Sequence, residues 1–201
     1  VTGRFVVFEG GEGSGKSTQA ARLAERWEAL LTREPGGTEL GAKLRGLLLD
    51  PATGSMDRRA EALLMAADRA HHVATVIRPA LEAGRDVVCD RYLFSSVAYQ
   101  GYGRGLHPDE VRQLSEWATG GLLPDLVVLL DVSAEVAAAR LDRELDRFES
   151  AGDAFHERVR AGFRTMADLE RERWEIVDAD ASLDEVSAAV DAAVARRLGP
   201  T

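Results

Sequence analysis

Phe5-Val6-Val7-Phe8-Glu9-Gly10-Gly11-Glu12-Gly13-Ser14-Gly15-Lys16-Ser17 runs from a short apolar stretch into a glycine-rich loop that fits G-x-x-x-x-G-K-[ST] from Gly10 to Ser17. The order is strand, loop, helix, and its chemistry is a phosphate cradle. Gly10, Gly11, Gly13 and Gly15 let the backbone curl so that successive N–H groups converge on phosphate oxygens, with Glu12, Ser14 and Thr18 completing the nucleotide-binding stretch. Lys16 is placed to bridge β- and γ-phosphates, and the Ser17 hydroxyl to hold Mg²⁺. The chain has only two lysines, Lys16 and Lys43, and draws nearly all its other positive charge from arginine, so a lysine in this loop is not incidental. No G-x-G-x-x-G can be written here, which argues against a dinucleotide-binding turn.

Outward from the loop, 201 residues with 45% hydrophobic content suffice for one substantial core with a small lid and not for two full domains. A single domain over 1–201 is expected. A formal charge of −9 argues against a broad nucleic-acid footprint and against a polybasic membrane anchor, so phosphate binding must be local. The lone Cys89, within Val87-Val88-Cys89, excludes an internal disulfide and reads as a buried core thiol. Strand residues begin within four positions of the first residue, and no run of about 18 apolar residues occurs. The expectation is a cytosolic protein without a targeting segment or membrane span.

Periodicity predicts strands at 4–8, 29–33, 86–90, 126–131 and 174–177, alternating with helices near 16–28, 38–49, 57–83, 108–118, 133–142, 153–173 and 183–197. The runs at 86–90 and 126–131 are continuous and β-branched, as in strands buried on both faces. Helix starts are signalled by Pro108 with Asp109 and Glu110, by Ser133, and by Ser182 with Glu185 three residues on. The pattern implies a three-layer α/β/α fold of the P-loop type, with a five-stranded parallel sheet and ligands at the strands' carboxyl ends.

A phosphate loop alone does not separate a kinase from a GTPase, a motor or a regulatory ATPase. Neither D-x-x-G after a later strand nor N-K-x-D is present, which sets the GTPase aside. Asp90-Arg91 at the end of the third strand supplies a carboxylate that can order Mg²⁺ and a guanidinium for a second, acceptor phosphate. Arg140, Arg143 and Arg147 recur over a segment of about 140–152, where an arginine-bearing lid closing over ATP would neutralise charge and exclude water. Spacing alone leaves a solvated helix equally open.

Together these segments resemble the thymidylate kinase family. The resemblance rests on Phe8-Glu9-Gly10 through Thr18, Thr32-Arg33-Glu34-Pro35-Gly36-Gly37-Thr38, Ala66-Ala67-Asp68-Arg69, Asp90-Arg91-Tyr92 with Ser95-Ser96 and Ala98-Tyr99-Gln100-Gly101, and Leu145-Asp146-Arg147-Phe148-Glu149. These stand in family order over about residues 4–180, and Thr-Arg-Glu-Pro-Gly-Gly and Ala-Tyr-Gln are the specific ones. The resemblance implies Mg²⁺-dependent transfer from ATP to dTMP, with ATP on the loop and Mg²⁺ on Ser17 and Asp90. It further implies that Glu12 accepts the deoxyribose 3′-hydroxyl, that Arg91 and Arg45 hold the dTMP phosphate, and that Pro35 shapes the turn beside it. Arg69, Ser96 and Gln100 are implied at the base, Met65 as an apolar wall, and Tyr99 where a ribose 2′-hydroxyl would fit. Lys16 and Arg91 are implied as catalytic cations with a lid arginine, and a homodimer is implied as the assembly.

Two departures stand out. The segment between Lys16 and Thr32 is short for the family, and in the lid Asp142 and Arg143 occupy positions where a basic residue and glycine are usual. The loop has no arginine, as in one bacterial type, so the lid must supply the cation, with Arg143 favoured over Arg140 and Arg147. Adenine contacts are expected from the lid-side arginines and the Asp178-Ala179-Asp180 turn. Other nucleotide or deoxynucleoside kinases, and a regulatory P-loop ATPase, remain the alternatives.

Overall fold

A computed structural model describes residues 2–140 and 146–199. Five parallel strands, β1 (Phe5–Glu9), β2 (Leu30–Arg33), β3 (Val87–Asp90), β4 (Leu126–Asp131) and β5 (Trp174–Asp178), lie in the order β2-β3-β1-β4-β5. Every residue of β1 is buried, because the central strand has a hydrogen-bonded neighbour on each side and helices on both faces. Side-chain alternation then divides the core. Phe5, Val7, Cys89, Val127 and Leu129 point to one face, and Val6, Phe8, Val88, Val128 and Leu130 to the other.

The second face is covered by α1 (Lys16–Trp27), through Ala20, Leu23 and Ala24, and by α9 (Leu183–Leu198), which opens with the Ser182/Glu185 capping box. The first face carries α3 (Arg58–His72), α4 (Arg78–Glu82), α5 (Leu93–Ser96), α6 (Pro108–Thr119) and α8 (Asp153–Leu169), while α2 (Glu39–Leu49) packs on α3. α7 (Ala134–Arg140) follows β4. The helix expected over 57–83 is continuous in path but widened over Val73–Ile77 to i→i+5 spacing between α3 and α4.

Two further expectations are refined. The sequence pattern shows no helix between the third strand and Pro108, yet Leu93–Ser96 is helical and continues as a wide turn over Val97–Gly103. Leu93, Phe94, Ser96 and every residue from Val97 to Gly101 are buried, so the segment is buried on all sides and shows no helical stripe to read. The short segment after Lys16 is accommodated by a two-residue connection. Glu28 takes a left-handed φ of 52°, and the Ala29 amide bonds back to the Ala24 carbonyl, ending α1 directly before a four-residue edge strand.

The register fixes where ligands can be held. Phe8 lies beside Asp90, and Asp90 beside Arg33, so the ends of β1, β3 and β2 emerge together at one edge of the sheet.

Candidate active site

The phosphate loop begins where β1 ends. Gly13, at φ 69°, packs so closely on α7 that a Cβ there would stand 2.7 Å from the Ala137 carbonyl oxygen. Lys16 folds back over the loop, its Nζ donating to the Gly11 carbonyl at 2.5 Å and to Ser14 Oγ at 3.2 Å. Burial, with Arg91 adding to it, pulls the Lys16 ammonium down to about 8. Ser17 Oγ donates to Asp90 Oδ2 at 2.5 Å, so the loop and the end of β3 share an oxygen pair.

Arg91 has a left-handed φ of 69°, and that conformation turns its side chain under the loop. Nη1 donates to the Gly10 carbonyl and Ser95 Oγ, and Nη2 donates to Glu12 Oε1 at 2.6 Å and to the Tyr99 hydroxyl at 3.1 Å. Tyr99 in turn donates to Glu12 Oε1 at 2.8 Å. Burial acting alone would raise Glu12, but Arg91 and then Lys16 overcome it and hold the carboxyl down at about 2. Glu12 is therefore a fixed anion between two cations.

Glu9, the last residue of β1, is fully buried and receives the Tyr92 amide at 2.9 Å, the Ser95 amide at 3.0 Å and Ser95 Oγ at 2.6 Å. It supplies the acceptor for the start of α5 and so ties the acceptor-side helix to the loop strand. Burial pushes its carboxyl up to about 7 from an ordinary 4.5, against the Ser95 hydroxyl and Arg91. A carboxyl whose folded value lies above its unfolded one contributes stability that is full below about 4.5 and lost as pH rises to about 7. Against a Glu9→Gln variant, the native protein should thus lose roughly 3 kcal/mol across that window and be flat beyond it. Urea unfolding at stepped pH reads this; a difference that stays constant with pH would refute it.

The turn after β2 is organised by Glu34. One oxygen accepts from Arg69 Nε at 2.7 Å, and the other lies 3.0 Å from His72 Nδ1, whose Nε2 meets Thr32 Oγ1 at 2.6 Å. Arg69, Glu34 and His72 are all buried. Gly37 is required here because a Cβ would come within 2.4 Å of His72 Nε2 and 2.8 Å of the Arg33 carbonyl oxygen. Arg69 also donates to Ser115 Oγ, the Tyr92 carbonyl and Ser96 Oγ. Arg45 donates to the Pro35 carbonyl at 2.9 Å, and burial with the nearby Arg33 and Arg91 lowers its pKa.

These groups enclose one cavity of about 510 Å³. It is lined by Glu12, Gly13, Gly15, Lys16, Ser17 and Thr18 at the loop, by Pro35, Arg45, Asp90 and Arg91, and by Met65, Arg69, Ser96, Tyr99 and Gln100 from α3 and the segment after β3. Of the expected residues, Gly10, Gly11 and Ser14 shape the loop without lining the cavity. Arg140 lines it, with its guanidinium 3.4 Å from the Gly13 and Ala181 carbonyls, between the loop and the Asp178–Asp180 turn. Arg143 lies outside the described residues. Arg147 turns away from the cavity: Nε donates to the Leu48 carbonyl at 2.7 Å and Nη2 stands 2.6 Å from Glu61 Oε2. Arg147 thus ties its own segment to α2 and α3 in place of facing the loop.

Sequence inspection passes over Glu9, Glu34 and Glu61 as site residues. Glu61, Met65, Asp68, Arg69 and His72 recur at helical spacing, an inward-facing stripe too polar for a core, and that is the available signal.

A hydrolytic switch needs only the loop end of such a cavity. Here Arg33 and Arg45, from β2 and α2, line the same cavity as the loop and its bound Arg91, and this defines a P-loop nucleotide kinase with room for an acceptor phosphate. A sequence model of thymidylate kinase matches residues 8–190. The chain is 53% identical to the thymidylate kinase of Clavibacter michiganensis over 198 residues, covering 94% of this chain and 93% of that one. It is 50% identical to those of Cutibacterium acnes, over 94% of each chain, and of Bifidobacterium longum, over 95% of this chain and 97% of that one. The chain belongs to the thymidylate kinase family.

Proposed function

We propose that the cavity binds dTMP with its phosphate between Arg45 and Arg91 and its base at Arg69 and Gln100, facing ATP on the phosphate loop. A dTMP phosphate oxygen attacks the γ-phosphorus of ATP, the bond to the β–γ bridging oxygen breaks, and dTDP and ADP leave. The nucleophile is already an anion, so the protein's contribution is positioning and charge neutralisation. The observation that carries this reading is that Arg33, Arg45 and Arg91 line one cavity with the loop; burial and then the charges of Arg33 and Arg91 lower the Arg45 pKa, and a phosphate dianion there would relieve that crowding.

Ser17 Oγ and Asp90 Oδ2 are oxygen donors at the loop mouth of the kind Mg²⁺ takes, and the described residues contain no cluster of three or more His, Cys, Asp or Glu suited to a metal. That set fits an ion that draws most of its ligands from phosphates and water. Mg²⁺ bound there would neutralise charge on the transferring phosphoryl group. Lys16 bridges the β- and γ-phosphates, and Arg140 or Arg143 closes on them from the lid side.

Glu12 has Oε2 left for the sugar 3′-hydroxyl, because Oε1 already accepts from Arg91 and Tyr99. The Tyr99 ring is packed edge-on against Phe148, Phe155 and Phe163, so it forms a stiff wall against a ribose 2′-hydroxyl. Met65 and Ser96 complete the base pocket. Leu47 and Leu63, 52% and 58% exposed on the packed pair α2 and α3, form the surface on which a second copy pairs, and sedimentation of the native protein tests this. We place this reaction in the cytoplasm; no helix of the described residues is long and apolar enough to cross a membrane.

ADP release measured with Mg·ATP and dTMP, dUMP, dCMP, AMP or thymidine in turn should be strongest with dTMP and fall sharply with its 3′-deoxy form. Release indifferent to the acceptor would overturn the reading in favour of a bare ATPase.

A further inference from the structure

Glu61 sits on α3, 0% exposed, outside the cavity wall. A buried carboxylate must be explained by its partners, and among the described residues Glu61 has three, two from the wide turn after α5 and one from the segment after residue 145. Gln100 Nε2 donates to Oε1 at 2.9 Å, and Arg104 Nε donates to the same oxygen at 3.2 Å. Arg147 Nη2 lies 2.6 Å from Oε2 as an ion pair whose angles are not those of a hydrogen bond.

The chemistry of that contact fixes something a lone glutamine leaves free. A side-chain amide has a donor end and an acceptor end of nearly equal shape, and its orientation is set by its neighbours. A carboxylate paired with two guanidinium groups only accepts. Gln100 must therefore present its NH₂ to Glu61, and its Oε1, buried and without a hydrogen-bond partner among the described residues, is the atom left for the cavity that Gln100 lines.

We propose that Glu61 is a specificity-determining positioning residue: by holding the Gln100 amide donor it makes the pocket ask for a base with a hydrogen on its ring imide nitrogen. Thymine and uracil carry that N3–H; cytosine offers a lone pair at the same place, which would face the Gln100 oxygen. The inference rests on the reading that dTMP lies in this cavity. It also links base recognition to the proposed lid, because the carboxylate that orients Gln100 binds Arg147 of that segment.

The test is a mutant cycle read by calorimetric dTMP binding and by steady-state kinetics on Glu61→Gln, Gln100→Ala and the double variant. A glutamine at 61 offers its own NH₂, so the Gln100 amide can turn. Glu61→Gln should weaken dTMP binding roughly ten- to hundred-fold, raising KM for dTMP while KM for ATP stays near the native value. The loss should nearly vanish when Gln100 is already alanine. Glu61→Asp, which keeps an acceptor-only group, should recover part of it. An equal loss in both backgrounds would make Glu61 merely structural and overturn the proposal. Unchanged dTMP binding in Gln100→Ala would instead sink the base-pocket reading beneath it.

The unmutated protein gives an independent readout if Glu61→Gln does not fold. On dTMP titration, the Gln100 side-chain NH₂ resonances should stay in place while a protected thymine imino proton appears. Large shifts of that NH₂ would show it turned to the base and refute the assignment.

Discussion

Replacing Lys16 by alanine should lower dTMP-dependent ADP release by roughly a thousand-fold or more while leaving the protein at least as stable as before. Both effects trace to one side chain. Lys16 is buried over the phosphate loop, bonded to Gly11 and Ser14 of that loop, and is the cation placed to meet charge on the transferring group. Its burial costs stability, since a lysine held down at about 8 contributes less than its full stability at any pH below that value and regains it only as pH rises toward 10.5. Thermal unfolding of Lys16→Ala at pH 7 should therefore be no lower than native. Calorimetric dTMP affinity should be nearly retained, because the acceptor phosphate is proposed to sit with Arg45 and Arg91. Activity within tenfold of native would remove Lys16 from the chemistry.

The opposite separation is expected at Arg69→Met. Here binding and folding should fail together. Arg69 is 2% exposed and is the guanidinium partner of the buried Glu34, so its loss leaves a carboxylate in the interior with His72 as its remaining ion-pair partner among the described residues. Removing one member of a buried pair costs about 3–5 kcal/mol. For a chain of this size that lowers the melting temperature by roughly 6–20 °C. Adding Glu34→Gln should restore part of the loss, since an uncharged amide tolerates burial better than an unpaired carboxylate. The double variant should still bind dTMP poorly, because Arg69 lines the cavity and is the proposed donor to the base. A single variant melting within about 2 °C of native would show that Glu34 is neutralised by another route.

The donor half of this protein is legible in its sequence because its chemistry is local. Gly10 to Ser17 are contiguous, the loop needs backbone more than side chains, and an apolar strand before it leaves one way to fold. Asp90-Arg91 is legible for the same reason, as two charged residues at the end of a buried strand. The acceptor half is harder, because its residues are brought together from β1, the turn after β2, α3 and the segment from Leu93 to Gly103. Arg69, Ser96, Tyr99 and Gln100 are named through family resemblance and do line the cavity together. The carboxylates behind them are not. Glu9, Glu34 and Glu61 hold their partners across 86, 35 and 39 residues of chain in the bonds to Ser95, Arg69 and Gln100, and no window of sequence contains both ends of such a bond. Arg147 misleads for a related reason. Its recurrence with Arg140 and Arg143 over one segment suggests a common lid, and only the fold shows that it turns back to Glu61 and Leu48.

The adjacency of Phe8 and Asp90 has a consequence for what the moving parts of this kinase must accomplish. Donor and acceptor cradles begin at the ends of two neighbouring strands, so the reach from one to the other is built on a rung of the sheet, about 4.8 Å. Few parts of a protein are stiffer than a buried parallel ladder covered on both faces. In the proposed complex the separation of the two phosphates is thus set when the chain folds and need not be found anew in each turnover. The lid proposed near Arg140 has only to expel water and bring its charge.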